Sequence, residues 1–124
     1  MKANELRLGN YVFTKSETIE QVSEINETLI SIKTRHGKTV GGFDITLFKP
    51  IPLTEEWLVK FGLKQVTYDK KRFYFLGTDI YIFDESKIYF NADSSNLSVK
   101  LEHVHQLQNL YFTLTGEELT IKEL

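Results

Sequence analysis

Between residues 66 and 101 the chain carries a run of short apolar and aromatic segments whose connecting links are mostly two to four residues long. Val66 and Tyr68 pass through the charged turn Asp69, Lys70, Lys71, Arg72 into Phe73, Tyr74, Phe75 and Leu76. Gly77 and Thr78 lead to Ile80, Tyr81, Ile82 and Phe83; Asp84, Glu85 and Ser86 lead to Lys87, Ile88, Tyr89 and Phe90. A polar loop over 91–96 precedes Leu97, Val99 and Leu101. Parallel neighbours need a crossover of a dozen or more residues, so links this short dictate an antiparallel meander. Several of these strands are apolar on both faces, which predicts that both faces of the sheet are covered.

The tail supplies one expected cover. Val104, Leu107, Leu110, Tyr111 and Leu114 fall on one helical stripe, with Gln106, Gln108, Asn109 and Thr113 on the wetter sides and Gly116 as the stop. Residues 5–49 read instead as four or five short strands. Leu6 to Phe13 are interrupted by Gly9 and Asn10, and Ile19, Val22 and Ile25 form a second segment. Leu29 to Lys33 form a third, and after the turn glycines Gly41 and Gly42 the residues Phe43, Ile45 and Leu47 alternate as a fourth. So many strands in so few residues predict a small β-barrel of the Src-homology-3 type, with a twisted open sheet covered by the second half as the alternative. Pro50 and Pro52 mark an extended junction. Beyond it Thr54 suits an N-cap, Glu55 and Glu56 the first turn, Trp57, Leu58 and Phe61 an apolar face, and Gly62 a stop. The expected fold class is therefore α+β: a small β-barrel over residues 1–50, then a helix, antiparallel β-meander, helix unit over 51–124.

Composition removes several chemistries. Net charge is −2, and residues 1–50 hold seven Lys and Arg against six Asp and Glu, residues 51–124 eight against eleven. Neither half has the basic excess that phosphate binding normally requires. Without cysteine there is no disulfide, thiolate nucleophile or cysteine zinc site. Met1 to Arg7 lack the apolar stretch of a secretory leader, and no apolar run approaches the roughly 20 residues of a membrane span, so a cytoplasmic location is expected.

No residue pattern names a reaction. His103 and His105 follow Glu102, but two residues apart on a helix they would diverge, and no third metal ligand is near. Asp79, Asp84, Glu85 and Asp93 sit in turns, where acids are ordinary turn residues. Gly41 and Gly42 fit no phosphate-binding fingerprint. The positions that invite a ligand are two basic hairpin tips, Lys33, Arg35, His36 and Lys38 in the first half and Lys70, Lys71 and Arg72 in the second. With Tyr74, Tyr81 and Tyr89 on neighbouring strands, Lys33, Arg35, Lys38, Lys70, Lys71, Arg72 and Tyr74 would make a surface for single-stranded nucleic acid. Charged tips that keep sheet edges soluble, beside half-buried tyrosines, explain the same residues.

Three blocks carry a resemblance: residues 1–12, residues 52–62 with Thr54, Glu55, Glu56 and Trp57, and the tail around Gln106, Leu107, Gln108, Asn109, Leu110 and Tyr111. Together they resemble small uncharacterised proteins of Bacteroides-type bacteria and their phages, prophages and mobile elements. The resemblance implies a source and a shared fold, and brings no activity and no site residues. The expectation that follows is a non-enzymatic accessory protein that binds a protein partner and takes no cofactor. A weak nucleic-acid-binding module is the runner-up.

Overall fold

The computed structural model describes residues 1, 3–33, 37–68, 71–76, 79–84, 87–91 and 98–122. The fold is α+β, with antiparallel sheets and two α-helices among the described residues. The chain divides into two compact units, Met1–Ile51 with His103–Leu119, and Pro52–Glu102 with Thr120–Leu124.

In the first unit a 3₁₀ turn (Ala3–Glu5) is followed by a reversal at Leu8 and Gly9. Gly9 takes a φ of +91°, a left-handed conformation that glycine adopts without strain. Strands β1 (Tyr11–Thr14), β2 (Ile19–Ile25), β3 (Leu29–Lys33) and β4 (Thr39–Asp44) then pair in succession. A 3₁₀ turn (Ile45–Leu47) leads to the short β5 (Phe48–Lys49), which returns beside β1, so the strand order is β4-β3-β2-β1-β5. Leu6, Val12, Val22, Ile30 and Phe48 form its buried core. The sheet is open: β4 and β5 are its edges, and no pairing that closes it into a barrel is seen among the described residues.

Two local expectations are corrected here. The alternation of Phe43, Ile45 and Leu47 does not continue a strand, because the Asp44 carboxylate accepts from the Thr46 backbone N–H at 2.9 Å and from its hydroxyl at 2.8 Å. Those bonds fold the chain into the 3₁₀ turn and hold the Asp44 carboxyl below its usual value. Gly41 and Gly42 are not a turn either; they lie inside β4, where the register with β3 slips between Ile30 and Ile32. Gly42 has a φ of +79°, and a Cβ on Gly41 would come within 2.2 Å of the Ser31 hydroxyl, so the pair makes a bulge that only small residues fit.

In the second unit α1 (Glu55–Lys60) starts at Thr54, whose backbone is extended but whose hydroxyl makes no capping bond. It ends at Gly62, with φ +88°. Trp57, Leu58, Phe61 and Leu63 are buried, and the Trp57 and Phe61 rings lie 5.5 Å apart. Strands β6 (Lys64–Tyr68), β7 (Lys71–Leu76), β8 (Asp79–Asp84), β9 (Lys87–Asn91) and β10 (Ser98–Leu101) follow as the meander the short links dictate. Each pairs with the next in unbroken register.

The second helix, α2 (Val104–Thr115), ends at Gly116 with φ +74°, as the tail pattern predicts. Its place differs from the expectation that it covers the meander as part of 51–124, because it groups with the first unit and its contacts run to β1. Its buried stripe is rotated as well: Val104, His105, Leu107 and Gln108 are buried, whereas Leu114 is exposed. No helix among the described residues is long and apolar enough to cross a membrane.

A six-residue helix is too short to persist without tertiary contacts, so α1 depends on its buried face. Trp57→Ala should destabilise the protein by about 3–5 kcal/mol in urea unfolding. Native tryptophan emission should be blue-shifted and poorly quenched by acrylamide; a red-shifted, freely quenched signal would contradict this packing.

Candidate functional site

The best-defined polar constellation joins α2 to the start of β1. Gln108 is fully buried, and each end of its amide is bonded. Its Nε2 donates to the Gly9 carbonyl at 3.1 Å and the Leu119 carbonyl at 3.0 Å. Its Oε1 accepts from the Tyr11 backbone N–H at 2.9 Å and the Asn10 side chain at 3.5 Å. Asn10, also fully buried, donates to Asn109 Oδ1 at 3.0 Å and accepts from the Arg7 backbone N–H at 2.6 Å. Asn109 in turn donates to the Glu5 carbonyl at 2.9 Å. A buried polar group without partners costs about 1–3 kcal/mol, so a network satisfied in this way fixes one geometry of the 7–11 segment.

That geometry presents Arg7. Its Nη2 lies 2.5 Å from Glu118 Oε1, and its guanidinium carbon stands 3.7 Å above the centre of the half-exposed Phe112 ring. Its other terminal nitrogen, Nη1, is buried with no hydrogen-bond partner, and so is the Ser23 hydroxyl. Arg7 and Ser23, with Leu8, Glu24, Ile25 and Glu118, line an open groove of about 820 Å³. Leu8 is 57% exposed there, the most exposed large apolar side chain among the described residues.

None of these groove residues stands out in the sequence. Arg7 and Glu118 are 111 residues apart, and no local pattern announces so distant a pair. A faint signal lies in α2 itself, where Gln108 follows His105 by three positions and Leu107 by one, so a polar side chain sits on the core-facing stripe.

Of the predicted nucleic-acid residues, Lys33 and Lys38 belong to the first unit and Arg72 and Tyr74 to the second. Lys33 ends β3 and Lys38 precedes β4, both exposed on one hairpin of the first unit. Arg72 and Tyr74 lie on β7 in the second unit and are committed to Glu55 of α1. Arg72 Nε lies 2.6 Å from Glu55 Oε2 and its Nη2 donates to Oε1 at 2.7 Å. The Tyr74 hydroxyl donates to the same carboxylate, and Tyr74 is 2% exposed, which corrects the expectation of a tyrosine open to stacking. Burial, then the bond to Glu55 and its charge, push the Tyr74 hydroxyl up to about 12. Arg35, His36 and Lys70 lie outside the described residues, as do Glu85 and Asp93 and the side chains of Lys71, Asp79, Tyr81 and Asp84.

The histidines also differ from expectation. His103 is the N-cap of α2 and has extended backbone, so its ring does not diverge from that of His105; the two stack 5.6 Å apart and 6° from parallel. The Gln106 side chain reaches back to the His103 N–H at 3.0 Å. His105 is 2% exposed and neither ring nitrogen has a hydrogen-bond partner. Burial, and next the neighbouring His103, lower its pKa from the ordinary 6.5; Glu5 opposes this and the chain's amino terminus adds to it. The described residues contain no cluster of three His, Cys, Asp or Glu side chains that could hold a metal.

The chain matches no protein-family model, no curated protein and no solved structure.

Two measurements check this account. Gln108→Ala removes the acceptor of the buried Tyr11 N–H and a donor to the Leu119 carbonyl, while the Gly9 carbonyl keeps its bond from Gln21 Nε2 at 3.1 Å; it should cost about 2–4 kcal/mol, with faster amide exchange at Tyr11. Loss under about 0.5 kcal/mol, the range of an ordinary surface substitution, would show that water replaces the amide. Because the folded pKa of His105 lies below its unfolded value, its contribution is fully present above about pH 6.5 and is lost as pH falls below that. Stability should decline by up to about 1.4 kcal/mol per pH unit until the folded ring protonates, and His105→Phe should flatten that slope.

Proposed function

We propose that this protein is a non-enzymatic binding module, of the accessory kind that phages and mobile elements of Bacteroides-type bacteria carry, and that it acts through a protein-binding surface on the first unit. The observation that supports this reading is the grouping around Arg7. A guanidinium held between Glu118 and the Phe112 ring, beside the exposed Leu8, combines the arginine, aromatic and apolar side chains that dominate protein interfaces. Arg7 loses little side-chain freedom on binding because its position is already fixed. The order β4-β3-β2-β1-β5, with the last strand back beside the first, is what a Src-homology-3-type barrel requires, and we read the first unit as such a barrel in open form. Nucleic acid is the weaker reading, since Arg72 and Tyr74 are engaged by Glu55.

A photo-crosslinking side chain placed at position 8, and in a second variant at the exposed Val66 of the second unit, tests this in cells of the native host. The expected result is one defined protein adduct from position 8 that position 66 does not give. Identical adducts from both positions, or nucleic acid as the main adduct, would overturn the reading.

A further inference from the structure

Strand β2 is longer than its partner on one side. Its last contacts with the β1 segment are the Gly9 N–H donated to the Val22 carbonyl and the Val22 N–H donated to the Asn10 carbonyl, each at 2.8 Å. On its other side β2 goes on pairing with β3 through Glu24 and Ile25. The chain before Gly9 turns away, with the Asn10 N–H donating to the Arg7 carbonyl at 3.1 Å. Past Val22, therefore, β2 has a neighbour on the β3 side alone among the described residues. The groove lined by Arg7, Leu8, Ser23, Glu24, Ile25 and Glu118 lies at this notch, along the line that β1 would follow if it were longer.

The chemistry of the notch selects its occupant. Leu8 and Ile25 offer apolar walls. An occupant beside the unpaired edge of β2 would bond the main-chain groups of that edge, as an added strand does. Of the three charges in the lining, Arg7 and Glu118 neutralise each other at 2.5 Å. Glu24 is left exposed, its one described contact the Ser31 hydroxyl at 3.4 Å. An extended occupant that enters beside a strand alternates its side chains between two faces, so an apolar residue next to a basic one would meet the walls and Glu24 in turn.

We propose that this notch binds an extended polypeptide segment in which apolar residues alternate with Lys or Arg, added beside β2 from Ser23 to Ile25. The proposal rests on the binding-module reading above and names the partner chemistry for it.

Backbone-amide NMR of the whole protein tests it, with a capped pentapeptide of alternating valine and lysine as the probe and its valine–glutamate counterpart as the control. The lysine peptide should shift the amides of Leu8 and Ser23 to Ile25, and the glutamate peptide should not. Glu24→Lys, a change at an exposed side chain, should weaken the lysine peptide at least tenfold and reverse the preference. Equal shifts from both peptides, shifts confined to other residues, or none at millimolar peptide would overturn the proposal. A protein crosslink at position 8 combined with a failed peptide titration would remove the basic-peptide assignment and leave the module reading standing.

Discussion

The first unit depends on one buried amide. Gln108 links its helix to two stretches of chain far apart in sequence: the segment from Gly9 to Tyr11 that opens β1, and Leu119 beyond the end of α2. A leucine at this position would bury comparable apolar surface but take a buried partner from the Tyr11 N–H and the Leu119 carbonyl, a penalty that grows with each group. Asn10 and Asn109 extend the same logic to Arg7 and Glu5. The helix is thereby fixed both along its axis and in its rotation. That fixed rotation explains why its buried face is Val104, His105, Leu107 and Gln108, and why Leu114, apolar as it is, faces solvent.

The second unit solves the equivalent problem with charge. Glu55, in the first turn of a helix too short to hold itself, receives two bonds from Arg72 and one from Tyr74 on β7. A carboxylate at a helix N-terminus is already favoured by the helix dipole. Here it also anchors α1 to its own sheet. Lys60 at the opposite end lies 4.7 Å above the Trp57 ring, and its carbonyl accepts from the Lys122 N–H at 2.7 Å. Arg72 and Tyr74, two of the residues read in the sequence as a nucleic-acid surface, are therefore the ones that hold this helix in place.

What was legible in the sequence was what short-range physics determines. Links of two to four residues forced the meander, Gly62 and Gly116 ended their helices in left-handed conformations, and the prolines marked the passage between units at Ile51 and Pro52. What was not legible depended on partners distant in the chain. The periodicity of α2 showed that it has a buried face, but not which sheet that face meets. Asp44 ended a strand that the alternation of Phe43, Ile45 and Leu47 appeared to continue, because one carboxylate bonded to Thr46 outweighs a period-two pattern only three residues long. Gly41 resembled a turn glycine until Ser31 on the facing strand gave the reason for its missing side chain.

The groove adjoins the network that fixes the helix, since Arg7 belongs to both. Gln108 bonds the Gly9 carbonyl and the Tyr11 N–H at the point where the chain, N-terminal to Gly9, turns away from β2. That reversal cuts β1 short while β2 continues to Ile25, and the difference in length is the notch. Arg7 is carried by the reversal to the notch wall, and Glu118, next to the Leu119 that Gln108 holds, is carried there from the other end of the chain. The buried amide that closes the fold thus sits at the boundary between the part of β2 that pairs with β1 and the part that does not.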